Sequence, residues 1–379
     1  MGSVNSTPLL QAPVSLILEL TSKCNLRCVY CFHFDSVTEY CKDLPTEEWL
    51  QFIEELQSLS VLEVSLSGGE PFSRPDFMTI CRKVAESNIR YTILSNGTMI
   101  TEAHARELAD IGRGKVQVSL DGIGEINDAG RGKGTFQAAV RGIRNLIKYH
   151  VPVYPRVTIS HHNIGHLEET ADFIFNDLGL DFFATGGAVV NESNSKNPFQ
   201  IELTIDDVAQ SIMEHRRVMS KYPGKRIGAV SVPMGVWNTW RKMLWAEKEN
   251  RNIRGGGCHA TCGGVYTRLG VRPDGGIVPC TSFPDKVLGY INRDKLKDVW
   301  QSAQFLNELR ALRHKPITDY DKCRECRFNR WCVGSCPAVV QQYNDGSRPS
   351  CASTMCLTDF LERFPDFDFD LEHIGDILK

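Results

Sequence analysis

The stretch SLILELTSKCNLRCVYC, Ser15 to Cys31, sets an apolar, β-rich run against three cysteines spaced C-x3-C-x2-C. Cys24, Cys28 and Cys31 are one thiolate short of the four that close a structural zinc site or a cubane iron-sulfur cluster. The triplet alone allows a zinc knuckle, isolated thiols, or a metal centre with one open position. Its place immediately after an expected strand bears on the choice, because parallel α/β sheets bind ligands beyond the carboxyl ends of their strands.

The same strand-then-helix rhythm repeats along the chain. Short β-rich runs at 15–20, 61–66, 91–95, 116–120, 153–160 and 181–186 predict six strands. Amphipathic segments of helical length separate them: TEEWLQFIEELQSL, DFMTICRKVAES, TEAHARELADIG, TFQAAVRGIRNLIKYH and HLEETADFIFNDL, with TIDDVAQSIMEHRRVM after the sixth. Thr46 before Glu47 and Glu48, and Thr101 before Glu102, stand where helix caps and acidic first turns belong. Alternating units of this kind predict a parallel sheet covered by helices, either open and doubly wound or a partial or complete barrel. The unusual residues fall after strands: the cysteine triplet after the first, SGGEP (Ser67 to Pro71) after the second, SNGT (Ser95 to Thr98) after the third and SLDG (Ser119 to Gly122) after the fourth. Glycines in such loops let the backbone approach a ligand closely.

With 379 residues and 42% hydrophobic content the chain can bury a large core and is expected to form two domains, or one with an extension. Its net charge of −3 gives no electrostatic case for nucleic acid or anionic lipid as partner. No apolar run approaches the roughly 20 residues of a membrane-spanning helix, and the start of the chain lacks the pattern of a secretory signal, so a cytoplasmic location is expected. Fourteen cysteines then argue for metal or redox chemistry rather than disulfides. Three cluster at 24–31, Cys41 and Cys81 stand apart, and nine lie from Cys258 onward.

CNLRCVYC, with the aromatic Tyr30 before its last cysteine and SGGEP after the next strand, resembles the radical SAM enzymes over Val14 to about Met219. The resemblance implies a partial (β/α)6 TIM-like barrel and a 4Fe-4S cluster on Cys24, Cys28 and Cys31, with its fourth iron open to S-adenosylmethionine. It further implies that Gly68, Gly69 and Glu70 meet the methionine amino group, that Ser95, Asn96 and Ser119 meet ribose and carboxylate, and that Tyr30, Asp121 and Arg131 join the cofactor site. The C-terminal pattern, C-x12-G-x4-C from Cys262 to Cys280 and C-x2-C-x5-C-x3-C from Cys323 to Cys336, resembles the SPASM extension of these enzymes. That likeness implies two auxiliary 4Fe-4S clusters, one on Cys258, Cys262, Cys280 and Cys336, the other on Cys323, Cys326, Cys332 and Cys356, with Cys351 as the alternative to Cys356. Paired zinc sites are the competing reading of the C-x2-C elements. The expected division is a barrel at 14–225, a bridging segment at 226–257, the cysteine-rich domain at 258–356 and a tail at 357–379.

The same resemblance implies an oxidoreductase that cleaves S-adenosylmethionine and abstracts hydrogen from a ribosomally made peptide or protein side chain. It would work with a reductant such as a flavodoxin or ferredoxin, and with a separate peptide-recognition protein. A small-molecule step in cofactor biosynthesis, such as oxidative decarboxylation, and a non-enzymatic electron-transfer or binding role are the alternatives. Sulfatase-maturing relatives carry an aspartate after the cysteine that Cys280 matches, and this chain has Thr281. Asp285, His161 and His162 remain as acid/base candidates. Trp237, Trp240 and Trp245 either line a substrate channel or pack the bridging segment.

Overall fold

The computed structural model describes residues 9–31, 33, 41–188, 203–229, 233–259, 264–336 and 356–374. The expected ligands Cys262 and Cys351 lie outside these residues. The rhythm read from sequence is present as strands β1 (Ser15–Glu19), β2 (Glu63–Ser67), β3 (Arg90–Ser95), β4 (Gly114–Ser119), β5 (Val153–Ile159) and β6 (Phe182–Gly187). Helices α1 (Thr46–Ser58), α2 (Phe77–Glu86) and α3 (Glu102–Ile111) occupy the first three crossovers. The fourth holds α4 (Glu125–Arg131), a short helix that the sequence pattern did not announce, and α5 (Thr135–Lys148). In the fifth, α6 (Leu167–Asp172) widens into a π turn over Phe173–Asp177.

Parallel pairing runs in sequence order from β1 to β6, and two additions extend the six expected strands. After α7 (Ile205–Lys221), β7 (Arg226–Ala229) pairs parallel to β6, so the start of the expected bridging segment belongs to the sheet. On the opposite side β8 (Arg268–Val271) pairs parallel to β1, followed antiparallel by β9 (Gly276–Val278) and β10 (Gly289–Tyr290). Among the described residues the result is an open partial barrel of ten strands in the order β10-β9-β8-β1-β2-β3-β4-β5-β6-β7. β1, which feeds the cysteine triplet, is paired on both sides.

Alternation decides the two faces of this sheet. Leu16, Leu18, Val64, Leu66, Tyr91, Ile93, Val116 and Val118 are buried against helices such as α1, whose Trp49, Phe52, Ile53 and Leu56 complete that layer. The other face is polar. Thr92 donates to Glu63 at 3.2 Å and Tyr154 to Gln117 at 3.3 Å, and Glu19 and Arg156 stand on the same face by register. A concave polar face beneath the strand ends suits a ligand rather than a packed core.

Helix α8 (Met234–Lys248) resolves the tryptophans as packing residues: Trp237 and Trp240 are buried, and Trp245 packs against the core. Trp240 meets Phe360 of the C-terminal helix (Leu357–Arg363) at 4.7 Å between ring centroids. Phe360 in turn touches Phe364, Phe367 and Phe369. Two arginines fasten the acidic tail, Arg216 to Asp368 at 2.6 Å and Arg241 to the Asp370 carbonyl. No helix among the described residues is long and apolar enough to cross a membrane. Truncating the fully buried Phe360 to Ala is expected to destabilise the fold by about 3–5 kcal/mol. Denaturant titration should show the loss, and limited proteolysis should show cleavage after residue 356.

Candidate functional site

The cysteine loop is shaped by backbone pairing with the loop after β2. Leu20 N–H donates to the Ser67 carbonyl at 2.9 Å, Gly69 N–H to Thr21 at 2.8 Å and Glu70 N–H to Lys23 at 2.8 Å. These contacts explain both glycines. A Cβ on Gly69 would lie 2.2 Å from the Lys23 carbonyl oxygen, and one on Gly68, whose φ is +138°, would lie 2.5 Å from that of Thr21. On the other side Val29 N–H donates to Gly130 at 3.0 Å, and Asp43 accepts from Ser22 N–H at 2.7 Å. Held at both flanks, Cys24, Cys28 and Cys31 converge closely enough that charge on one opposes charge on the next. Burial is the larger effect and pushes the thiols of Cys24 and Cys28 up to about 11. Metal binding would have to displace those protons.

Glu70 is fully buried beside this loop. Its carboxylate accepts from Ser95 Oγ at 2.8 Å, Asn96 N–H at 2.8 Å and Phe72 N–H at 3.2 Å, so it ties the loop after β2 to the end of β3. Burial outweighs these donors and raises its pKa to about 7. The Asn96 side chain donates to Asn25 at 2.9 Å and lies 4.0 Å from Cys24 Sγ. Ser119 ends β4, opposite Arg156 on β5.

A second knot holds the far flank. Asp121, with no exposed side-chain surface, accepts from Arg131 Nε at 2.7 Å, from Thr158 N–H at 2.7 Å and from the Tyr30 hydroxyl. Arg131 Nη1 lies 4.0 Å from Cys28 Sγ. Three segments distant in sequence therefore meet at one carboxylate: the cysteine loop, the β4 end with α4, and β5. His162 joins them, its ring stacked on Tyr30 at 6.0 Å and its Nδ1 2.7 Å from Ser160 Oγ. His161 points elsewhere, pairing with Asp207 of α7 at 3.0 Å.

In the cysteine-rich part, Cys326, Cys332 and Cys356 are mutually close enough to disfavour one another's ionisation, and burial raises Cys332 to about 11. Cys323 precedes Cys326 in a turn closed by Cys326 N–H donating to the Cys323 carbonyl at 3.2 Å. Cys258 forms a bridge with Pro316, and Cys280 follows β9. Cys336 ends the 264–336 stretch, where Ser335 C=O accepts from His259 Nε2 at 2.6 Å. Asp285 lies on the surface, half-exposed and paired with Lys286 at 2.9 Å.

Two inner-face residues escaped sequence reasoning. Glu19 is buried at the end of β1 and burial raises its pKa to about 7, with Arg272 opposing the rise. Arg156 is mostly buried two residues from Thr158, and burial lowers its pKa despite the nearby Asp121. Charged residues on the polar side of otherwise apolar strands were the available signal.

Two family models match the chain. The radical SAM superfamily model matches residues 18–174, and the SPASM model, an iron-sulfur cluster-binding domain, matches 262–327. The AdoMet-dependent heme synthase of Methanosarcina barkeri is 27% identical over 332 residues, 85% of this chain and 91% of that protein. PqqA peptide cyclase of Ruegeria pomeroyi is 25% identical over 332 residues, 83% of this chain and 80% of its own. Mycofactocin maturase MftC of Mycobacterium tuberculosis is 37% identical over 164 residues, 43% of this chain and 42% of that protein, so this stronger match spans less than half of either. Among solved structures, Streptococcus suis SuiB bound to its precursor peptide SuiA shares the fold, with a TM-score of 0.72 at 17% identity over 92% of this chain and 77% of that one. The chain thus carries a radical SAM domain and a SPASM domain, and it is an enzyme.

Two outcomes test the local physics. Gly69→Ala should distort the cysteine loop and lower iron bound at the N-terminal site in reconstituted protein, measured as iron per chain against wild type. Glu19 has its folded pKa raised above the unfolded value of 4.5, so its ionisation penalty is absent below about pH 4.5 and complete above about pH 7. Glu19→Gln should therefore stabilise the metal-free chain at pH 8, by up to on the order of 3 kcal/mol, and leave it nearly unchanged at pH 4.5 in thermal melts.

Proposed function

We propose that Cys24, Cys28 and Cys31 hold a 4Fe-4S cluster whose fourth iron takes S-adenosylmethionine, and that the enzyme uses it to abstract hydrogen from a peptide or protein side chain. The observation that carries this reading is the convergence of three half-buried thiols spaced C-x3-C-x2-C in the connection that follows β1. When bound, the cluster and cofactor supply one-electron cleavage of the sulfonium, giving methionine and a 5′-deoxyadenosyl radical that takes a hydrogen atom from substrate.

The chain's own residues orient and shield that chemistry. Backbone carbonyls of the Gly68–Gly69 loop would accept from the methionine ammonium, while Glu70, already occupied by Ser95, Asn96 and Phe72, fixes the loop's shape. Arg131, held by Asp121, would take the cofactor carboxylate, and Ser95, Asn96 and Ser119 would meet ribose and carboxylate oxygens. Tyr30, buried with the Arg131 guanidinium over its ring, would flank the cofactor site. Cys323, Cys326, Cys332 and Cys356 would hold one auxiliary 4Fe-4S cluster, supported by the proximity of Cys356 to Cys326 and Cys332. Cys258, Cys262, Cys280 and Cys336 would hold the other. Arg156, on the polar face opposite Ser119, would meet the substrate's polar groups.

Similarity to PqqA peptide cyclase across most of both chains supports a peptide substrate. The partners we propose with it are a flavodoxin- or ferredoxin-type reductant and a separate peptide-recognition protein. A second reading, modification of a tetrapyrrole or other small cofactor precursor, is supported by the heme synthase, which this chain spans more fully. Anaerobically reconstituted protein given dithionite and S-adenosylmethionine should form 5′-deoxyadenosine, and Cys28→Ala should abolish it. Iron near roughly twelve atoms per chain is expected for three 4Fe-4S clusters. About four iron with about two zinc would overturn the auxiliary-cluster assignment. A peptide substrate labelled with deuterium should transfer label to 5′-deoxyadenosine, whereas transfer only from a tetrapyrrole would select the second reading.

A further inference from the structure

Arg131 touches more than a cofactor ligand needs to. Its Nε donates to Asp121 at 2.7 Å, its Nη1 lies 4.0 Å from Cys28 Sγ, and its guanidinium carbon stands 5.4 Å from the centroid of the Tyr30 ring. Nη2 takes part in neither polar contact. The side chain is only 8% exposed, and a guanidinium does not lose its proton in a protein. A fixed positive charge is therefore buried against a thiol of the open cysteine triplet.

Adding an electron to an iron-sulfur cluster adds negative charge, which a buried cation and donors to the ligating sulfurs both favour. Asp121 opposes that effect with a buried negative charge on the far side of the same guanidinium. The geometry also links two sites. A carboxylate arriving at Nη2 would neutralise part of the charge that Cys28 feels through Nη1.

We propose that Arg131 raises the reduction potential of the cluster at Cys24, Cys28 and Cys31, and relays binding of a carboxylate at Nη2 to that potential. The inference rests on the cluster assignment made above. It makes Arg131 a tuning residue as well as a cofactor contact, with Asp121 as its counterweight. By thermodynamic reciprocity, whatever shift in potential the carboxylate causes is matched by a change in its affinity on reduction.

The test is an EPR-monitored redox titration of the full-length, anaerobically reconstituted protein, following the component whose spectrum responds to S-adenosylmethionine. Arg131→Gln should lower the ratio of reduced to oxidised cluster about tenfold at fixed potential, a shift of ~59 mV for one electron. Arg131→Lys, which keeps the charge but loses the fork, should fall between this variant and wild type. Asp121→Asn should shift the potential upward, since it removes the opposing charge. The shift produced by S-adenosylmethionine should shrink in Arg131→Gln.

An unchanged potential in Arg131→Gln would overturn the proposal. So would downward shifts of similar size in all three variants, the pattern expected of a purely structural role. A wild-type protein that binds iron but gives no component responsive to S-adenosylmethionine would instead sink the cluster assignment, leaving the two failures distinguishable.

Discussion

The Asp121 carboxylate has no exposed surface, and much of the site is organised to satisfy it. Its oxygens receive the Tyr30 hydroxyl, the Arg131 guanidinium and the Thr158 N–H, while Asn163 donates to its backbone carbonyl at 2.9 Å. A buried carboxylate without such partners would cost several kcal/mol. The three donors to its carboxylate come from different parts of the chain, so satisfying it also fixes where the cysteine loop, α4 and the end of β5 stand relative to one another. Electrostatic necessity here takes the place of a regular secondary structure that the cysteine loop does not have.

The opposite flank solves the same positioning problem with backbone. The loop after β2 and the cysteine loop exchange N–H and carbonyl groups at a separation that no side chain would allow, which is why two consecutive glycines sit there. Glu70 then anchors the glycine loop to β3. Between a charge-driven knot on one side and a sterically enforced seam on the other, the three thiols are brought together before any metal is considered.

Much of the barrel was legible because its strands are short apolar runs and its helices have a clear apolar face. The loops bearing cysteine and glycine could be placed for the same reason. β7 and β8 were not, because RIGA and RLGV are short and broken by arginine and glycine, and only their pairing to β6 and β1 makes them strands. The roles of Asp121 and Glu70 at the site depend on contacts that sequence spacing does not encode: Tyr30 and Asp121 are 91 positions apart. Sequence resemblance suggested Glu70 as a cofactor contact, whereas its carboxylate is engaged by three protein donors. Asp285 and His161 carry suitable chemistry but face solvent and α7 respectively.

The parallel pairing of β1 with β8 has a bearing on how the protein is made. Ser15 and Arg268 are 253 positions apart yet share a hydrogen bond, so one edge of β1 stays open until the cysteine-rich segment has left the ribosome. An uncovered strand edge is a template for mispairing. The strand that leads into the N-terminal cysteines thus acquires its second neighbour only after most of the chain exists, and the order of synthesis makes closure of that edge depend on the segment that carries the C-terminal cysteines.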